Sequence, residues 1–274
     1  MSNVMSSVMN GAMSNVKATT ANHQGIDQPT GPAAPEAPNP RSMALLAGWS
    51  YVALFVLAVF ANFFVRERLV DTTDAAATFA NLADNQGLVR AATLAFVAVF
   101  VIDVVVAWAL YHLFRPAGEA LSALAAWFRI VYTVFLGVAV VFLYTVLRLT
   151  GNAGQGAAGG ADHLTALGSD TLEANTMLAL DAFNVTWLVG LVAFGIHLIV
   201  LSVIILRSGI AHRALGVVLA VAGAAYIFDT TAYTLYPGYA ANAEVFTAIV
   251  AGPSVVAEAA FTLWLLAKAG RPRR

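Results

Sequence analysis

Six long apolar runs constrain this chain more than any other feature. A helix that crosses a bilayer needs about 20 predominantly apolar residues. Runs of that length lie at about 43–64, 88–114, 120–147, 182–206, 214–236 and 245–267. Hydrocarbon offers no partner for backbone N–H and C=O groups, so such runs must satisfy them internally as helices. The expected fold is therefore an all-α integral membrane protein, a bundle of six transmembrane helices at about 42–270. Composition agrees: 60% of residues are hydrophobic and 11% charged, where a soluble domain carries about 25% charged residues. Mean hydropathy is +0.78. A net charge of −1 gives no basic surface for nucleic acid. The absence of cysteine excludes disulfides and thiolate chemistry.

Residues 1–41 differ in kind. They are rich in Ser, Asn, Ala, Pro and Met, and carry no continuous apolar core of a secretory signal. Such a stretch buries too little apolar surface to order itself, so it is expected to be a disordered tail. Met1, Met5, Met9 and Met13 recur every four residues. Thioethers suit Cu(I), but the Ser and Asn between them fix no geometry, and an unstructured tail that can engage a protein partner is the preferred reading.

Six spans place both ends of the domain on one side. That side holds Lys17, Arg41, Arg115, Arg207, Arg213, Lys268, Arg271, Arg273 and Arg274; the other holds Arg66, Arg68, Arg90 and Arg148. The positive-inside rule then puts both termini in the cytoplasm of a bacterial plasma (inner) membrane. The two long loops face outward. In the first, Asp71-Thr72-Thr73-Asp74 is expected to cap a short helix that stops at Gly87. The second contains Gly154, Gly156 and Gly159 in a formal G-x-G-x-x-G, which fails as a nucleotide fingerprint because no strand precedes it. Asp170-Thr171-Leu172-Glu173 reads as a capping box, so the fourth helix is expected to begin outside the membrane.

Four ionisable residues interrupt the apolar runs: Asp103, Arg129, His197 and Glu258. Each lies about 9–11 residues from the cytoplasmic end of its helix, hence roughly 15 Å deep at 1.5 Å per residue. That is the middle of a hydrocarbon core about 30 Å thick. Ionisable groups at that depth mark functional sites by default. Arg129 stays charged, so it needs Asp103 or Glu258 as a partner. The carboxyl left over and His197 could share a proton. Thr247, Ala251, Ser254, Glu258 and Thr262 form a small and polar stripe on the sixth helix, and Pro253 can kink it.

A second polar layer lies further out. Tyr226, Asp229, Tyr233 and Tyr236 share a face of the fifth helix, with Asp229 roughly 24 Å above its cytoplasmic start. Asp229 there reads as the mouth of a cavity, and Tyr236 as an interfacial anchor. Asp103, His197 and Glu258 could in principle ligate a metal, but Arg129 competes for the same carboxylates and no metal or other cofactor is implied.

The chain resembles a bacterial multi-pass membrane family catalogued as a domain of unknown function (number 4386). The likeness covers about 41–267. It rests on Asn62-Phe63-Phe64-Val65-Arg66, Asp74-Ala75-Ala76-Ala77-Thr78, Asp103, Phe128-Arg129, Phe194-Gly195-Ile196-His197, Tyr226 with Asp229, and Glu258. The resemblance implies a six-helix plasma-membrane protein and supplies no activity.

Three functions fit these residues. The favoured one is a small transporter or proton- or cation-coupled permease with a small-molecule or ion ligand at the midplane. A non-catalytic accessory or sensor subunit would use the buried charges structurally. A membrane-embedded enzyme would use the acid–imidazole pair on a hydrophobic substrate.

Overall fold

The computed structural model describes residues 38–151 and 167–271. The four spaced methionines, most of the tail and the glycine-rich segment with Gly154, Gly156 and Gly159 lie outside the described residues. Among the described residues every regular element is helical, and six helices are long and apolar enough to cross a membrane.

Helix α1 starts at Pro40, within the stretch assigned to the tail. Asn39 accepts from the Arg41 amide (2.8 Å), and Pro40 sits where its missing N–H is not needed. The helix runs Pro40–Val59, widens into a π-helical stretch at Phe60–Arg66, and closes at Glu67–Leu69. Short α2 (Ala75–Asp84) follows, capped as expected by Asp74 on the Ala77 amide at 2.8 Å. It ends at Asn85, not at Gly87. Asn85 leaves helical geometry (ψ 34°) while its carbonyl already accepts from Leu88 and Val89. Gly87 therefore belongs to the first turn of α3 (Gln86–Phe114).

Helix α4 spans Glu119–Thr150, α5 Ser169–Ser208, α6 Arg213–Leu235 and α7 Ala243–Ala267. The 40 residues of α5 measure about 60 Å, twice the hydrocarbon thickness. Its first turns thus project past the other spans, where α2 packs on it. The expected early start is present, but the capping box is not. Gly168 is the cap residue in extended conformation, and Asp170 accepts only from Ser169 Oγ at 3.1 Å.

The six spans close a ring. Helix α1 packs on α3, α3 on α4, α4 on α5, α5 on α6, α6 on α7, and α7 returns to α1. The end of the bundle holding Pro40, Phe114, Ser208 and Ala267 is called the near end, and the opposite one the far end. Arg41 fastens the ring at the near end. Its Nη1 donates to the Leu265 and Ala269 carbonyls (3.0 Å each) and its Nη2 to the Leu266 carbonyl (2.5 Å). A guanidinium thus satisfies the orphan carbonyls and negative dipole end of α7.

Two apolar clusters fill the ring. The near one includes Phe114, Leu198, Leu201, Phe261 and Leu265, and the far one includes Phe96, Leu136, Leu143 and Phe183. Tyr132 and Leu54 pack against both. Helices α5 and α6 touch backbone to backbone. A Cβ on Gly195 would lie 2.5 Å from the Gly223 carbonyl oxygen, and one on Gly223 would strike the Gly195 oxygen. Small residues allow this approach, the usual means of close helix contact in lipid.

Candidate functional site

The polar side chains gather where the two apolar clusters meet. Arg129 is 1% exposed and points inward from α4. Its Nη2 donates to Asp103 Oδ1 on α3, an ion pair shielded from solvent on both sides. Its Nη1 donates to Tyr51 Oη on α1 (2.5 Å) and to His197 Nε2 on α5 (3.3 Å). Asp103 Oδ2 lies 2.7 Å from Thr133 Oγ, which also reaches the Arg129 carbonyl at 2.8 Å. The hydroxyl has one proton, and the charged carboxylate is the stronger acceptor.

His197 is fully buried, and its tautomer follows from its neighbours. Nδ1 sits 2.8 Å from the Ala125 carbonyl, which can only accept, and Nε2 faces a guanidinium, which can only donate. The ring therefore carries its proton on Nδ1. Both nitrogens are occupied, so His197 braces α5 against α4.

Glu258 is separate. It is half-buried on α7 and accepts from Tyr226 Oη on α6 at 3.0 Å. No ion pair reaches it among the described residues. Phe194 stands between the two groups. Its ring lies under the Arg129 guanidinium (5.4 Å to the centroid) and edge-on to Tyr226 (5.5 Å). Of the four residues expected to meet, Asp103, Arg129 and His197 do so, and Glu258 lies beyond an aromatic wall. The proton shared between Glu258 and His197 has no hydrogen bond to travel along, because the imidazole is fully engaged. No three His, Asp or Glu side chains among the described residues are grouped to hold a metal.

Tyr226 belongs to the midplane, not to the outer layer. One turn away, Asp229 accepts from Tyr239 Oη at 2.8 Å, and Tyr239 meets Tyr233 edge to face (5.1 Å). Tyr239 lies in the connection after α6. Burial first, and then the Asp229 carboxylate beside it, push its phenol above the ordinary range, so it remains a donor. A cavity of about 20 Å³, room for one water, lies at the far end, lined by Arg66, Leu82, Phe96, Leu143 and Leu180 among others. There Arg66 bonds neutral partners, Asn62 Oδ1 (2.8 Å) and Asn184 Oδ1.

Sequence reading missed Tyr51 and Tyr239. Tyr51 had a signal, since a tyrosine 11 residues inside a span is far from the interfaces that tyrosines usually occupy. Tyr239 had none, because only folding brings a loop hydroxyl to Asp229.

The sequence profile of a family described as "Domain of unknown function (DUF4386)" matches residues 46–269. The chain belongs to this family. All of Asp103, Arg129, His197, Glu258, Tyr51 and Tyr226 fall inside the matched region. An uncharacterised protein of Archaeoglobus fulgidus is 28% identical over 170 residues, covering 62% of this chain and 78% of that protein. No solved structure matches.

Proposed function

We propose that the protein is a proton- or cation-coupled permease in which Glu258 is the exchanging group. The observation that carries this is the contrast between two buried sets of charge. Asp103, Tyr51 and His197 take both terminal nitrogens of the Arg129 guanidinium, with only its Nε left over, and Thr133 bonds Asp103; a set held by that many mutual bonds fixes the bundle. Glu258 has one phenol and no cation in contact. An ionised carboxylate so placed in hydrocarbon is costly, so it is neutralised by what it binds, a proton or a small cation. Helix α7 suits exchange, because it packs mainly on α6 and α1, touches α3 through Phe114 at its near end, and carries Pro253 within it. Pro253 has no N–H, which leaves the Ile249 carbonyl without its helical donor about two and a half turns from Glu258.

Charge placement supports the orientation. Among the described residues Arg41, Arg115, Arg207, Arg213, Lys268 and Arg271 flank the near end, and Arg66, Arg68, Arg90 and Arg148 the far end. The near end is then cytoplasmic in a bacterial plasma membrane.

The test is ion uptake into liposomes holding the purified protein, under an imposed pH or sodium gradient and read by an enclosed dye. Wild type is expected to exceed empty liposomes, and Glu258→Gln to fall to their level while keeping its folded yield. Equal flux in the variant and wild type would overturn the reading.

A second reading has its own support. The direct pairing of Arg129 with Asp103, Tyr51 and His197 suits a non-catalytic sensor or accessory subunit whose charges only set helix register. In that case Glu258→Gln changes no flux.

A further inference from the structure

We infer that in the conformation described Glu258 communicates with the far side of the membrane, along the α6–α7 face, and that an aromatic plug closes it from the near side, as one half of a permease cycle requires. This deepens the proposed function and rests on Glu258 being the exchanging group. The inference comes from what lies above and below Glu258 on the helices that frame it.

Toward the far end, the residues of α7 on the Glu258 face are Ser254, Ala251, Thr247 and Glu244, all small or polar. Thr247, Ala251 and Glu244 are exposed, with no protein over them. A Cβ added to Gly252 would meet nothing within 4 Å. On α6 the same direction leads from Tyr226 to Asp229, which Tyr239 from the far connection holds, and on to Thr230. Polar groups therefore recur at each turn from the far rim down to Glu258.

Toward the near end everything changes. The next residues on that face of α7 are Phe261 and Leu265, both fully buried. Phe261 stacks on Phe114 (6.3 Å) and Trp264 (5.8 Å), and Trp264 stacks on Phe114 (6.0 Å). Tyr51 meets the edge of Phe261 at 5.7 Å. On α6 the inward residues are Ala222, Leu219 and Leu215, again buried and apolar. Arg41 then ties the near end of α7 to α1. Thr262, one turn toward the near end, has its hydroxyl proton committed to the Glu258 carbonyl (2.7 Å). Past it, three stacked rings and a clasped helix end leave no further polar step on α7 before the near surface.

The charged and titratable groups around Glu258 are Tyr226 on α6, Tyr51 on α1, Tyr132 on α4, and the Arg129–Asp103 pair behind Phe194. None of them lies on the near side of the plug. Asp229 with Tyr239 is thus the outermost station of the route, a positioning pair for the proton or cation rather than its destination.

The test is labelling by dicyclohexylcarbodiimide, which reacts with a protonated carboxyl in an apolar setting. The carboxyl oxygen bonds to the carbodiimide carbon, its proton passes to a nitrogen, and the adduct is located on its peptide by mass. Full-length protein is reconstituted in vesicles, sorted by which side an appended C-terminal tag faces, and the pH of each side is varied alone. Labelling of Glu258 is expected to rise several-fold as the far side is acidified and to respond far less to the near side. Asp229→Asn is expected to slow the response to far-side pH. Trp264→Ala, a half-buried change that leaves the core in place, is expected to add a response to near-side pH. Labelling that follows the near side in wild type would overturn the route while leaving Glu258 as the exchanging group. No labelling of Glu258 at any pH would overturn that group's role, and the route with it.

Discussion

Arg129 shows how one charge can be kept inside a membrane bundle. Its two terminal nitrogens reach Asp103, Tyr51 and His197 on three other helices, and Tyr51 and Phe194 lie against its plane. A lysine cannot reproduce this, because an ammonium is a point charge without the planar fork. Arg129→Lys is therefore expected to lower the unfolding temperature in detergent despite its retained charge. Asp103→Leu leaves the guanidinium buried without a counter-charge and is expected to destabilise by about 3–5 kcal/mol. The double replacement Asp103→Leu with Arg129→Met removes both charges and should recover most of that loss. If the double variant is as unstable as the single one, the pair does more than balance itself. Glu258→Gln keeps a group that accepts from Tyr226 Oη and should unfold within a degree or so of wild type.

At the scale of the element, the crossing of α5 and α6 places the site. Gly195 precedes His197 by two residues and Gly223 precedes Tyr226 by three. Their backbone contact sets how far apart the imidazole and the phenol stand. Gly195→Ala pushes a methyl against the Gly223 carbonyl and is expected to cost about 1–3 kcal/mol, as overpacking does. Thermal unfolding in detergent would measure it, and Gly168→Ala, which meets open space, is the control. The far loop carries a pH-sensitive joint. Thr73 donates to Asp71 through its hydroxyl (2.7 Å) and amide (2.9 Å), and these bonds hold the Asp71 carboxyl below its ordinary 3.8. A lowered folded value means the contribution is present above 3.8 and lost as pH falls below it. Thr78 ties the same residue to α2 through the Asp71 amide and carbonyl. Amide exchange in α2, corrected for its intrinsic pH dependence, should therefore quicken below that pH, and Thr73→Ala should erase the change.

For the molecule as a whole, packing is uneven from end to end. The near half is knitted by Arg41, the three stacked rings and the aliphatic side chains of α5. The far half of α7 is anchored by Phe246, which stacks on Tyr239 (4.6 Å) and packs against Phe228 and Tyr236, while Glu244, Thr247, Ala251 and Gly252 around it stay exposed. Hydrogen exchange should thus be faster in the far half of α7, through about Pro253, than in Phe261–Leu265, at a pH held constant on both sides. Equal protection along α7 would count against a mobile far half.

Much of this was legible in the residues. Hydrophobic length located all six spans, because lipid demands the same 20-residue helix everywhere, though it gave only the membrane part of α5, whose helix begins at Ser169. Counting residues from helix ends put Asp103, Arg129, His197 and Glu258 at one depth, since helical rise is uniform. Rotation about each axis was not legible. Tyr226 and Asp229 are three residues apart on one face, yet one bonds Glu258 and the other a loop tyrosine. Caps misled for a related reason: Gly87 and the Asp170 box carry the right chemistry, but the chain had turned elsewhere before reaching them.

Length, depth and chain order of the helices follow from the sequence by itself, because each is imposed by the bilayer on one helix at a time. Which carboxylate Arg129 takes, and that Phe194 walls off the other, only the tertiary structure decided. Those outcomes depend on how helices distant in sequence rotate and approach, and the Gly195–Gly223 contact that governs one such approach has no meaning until both helices are in place.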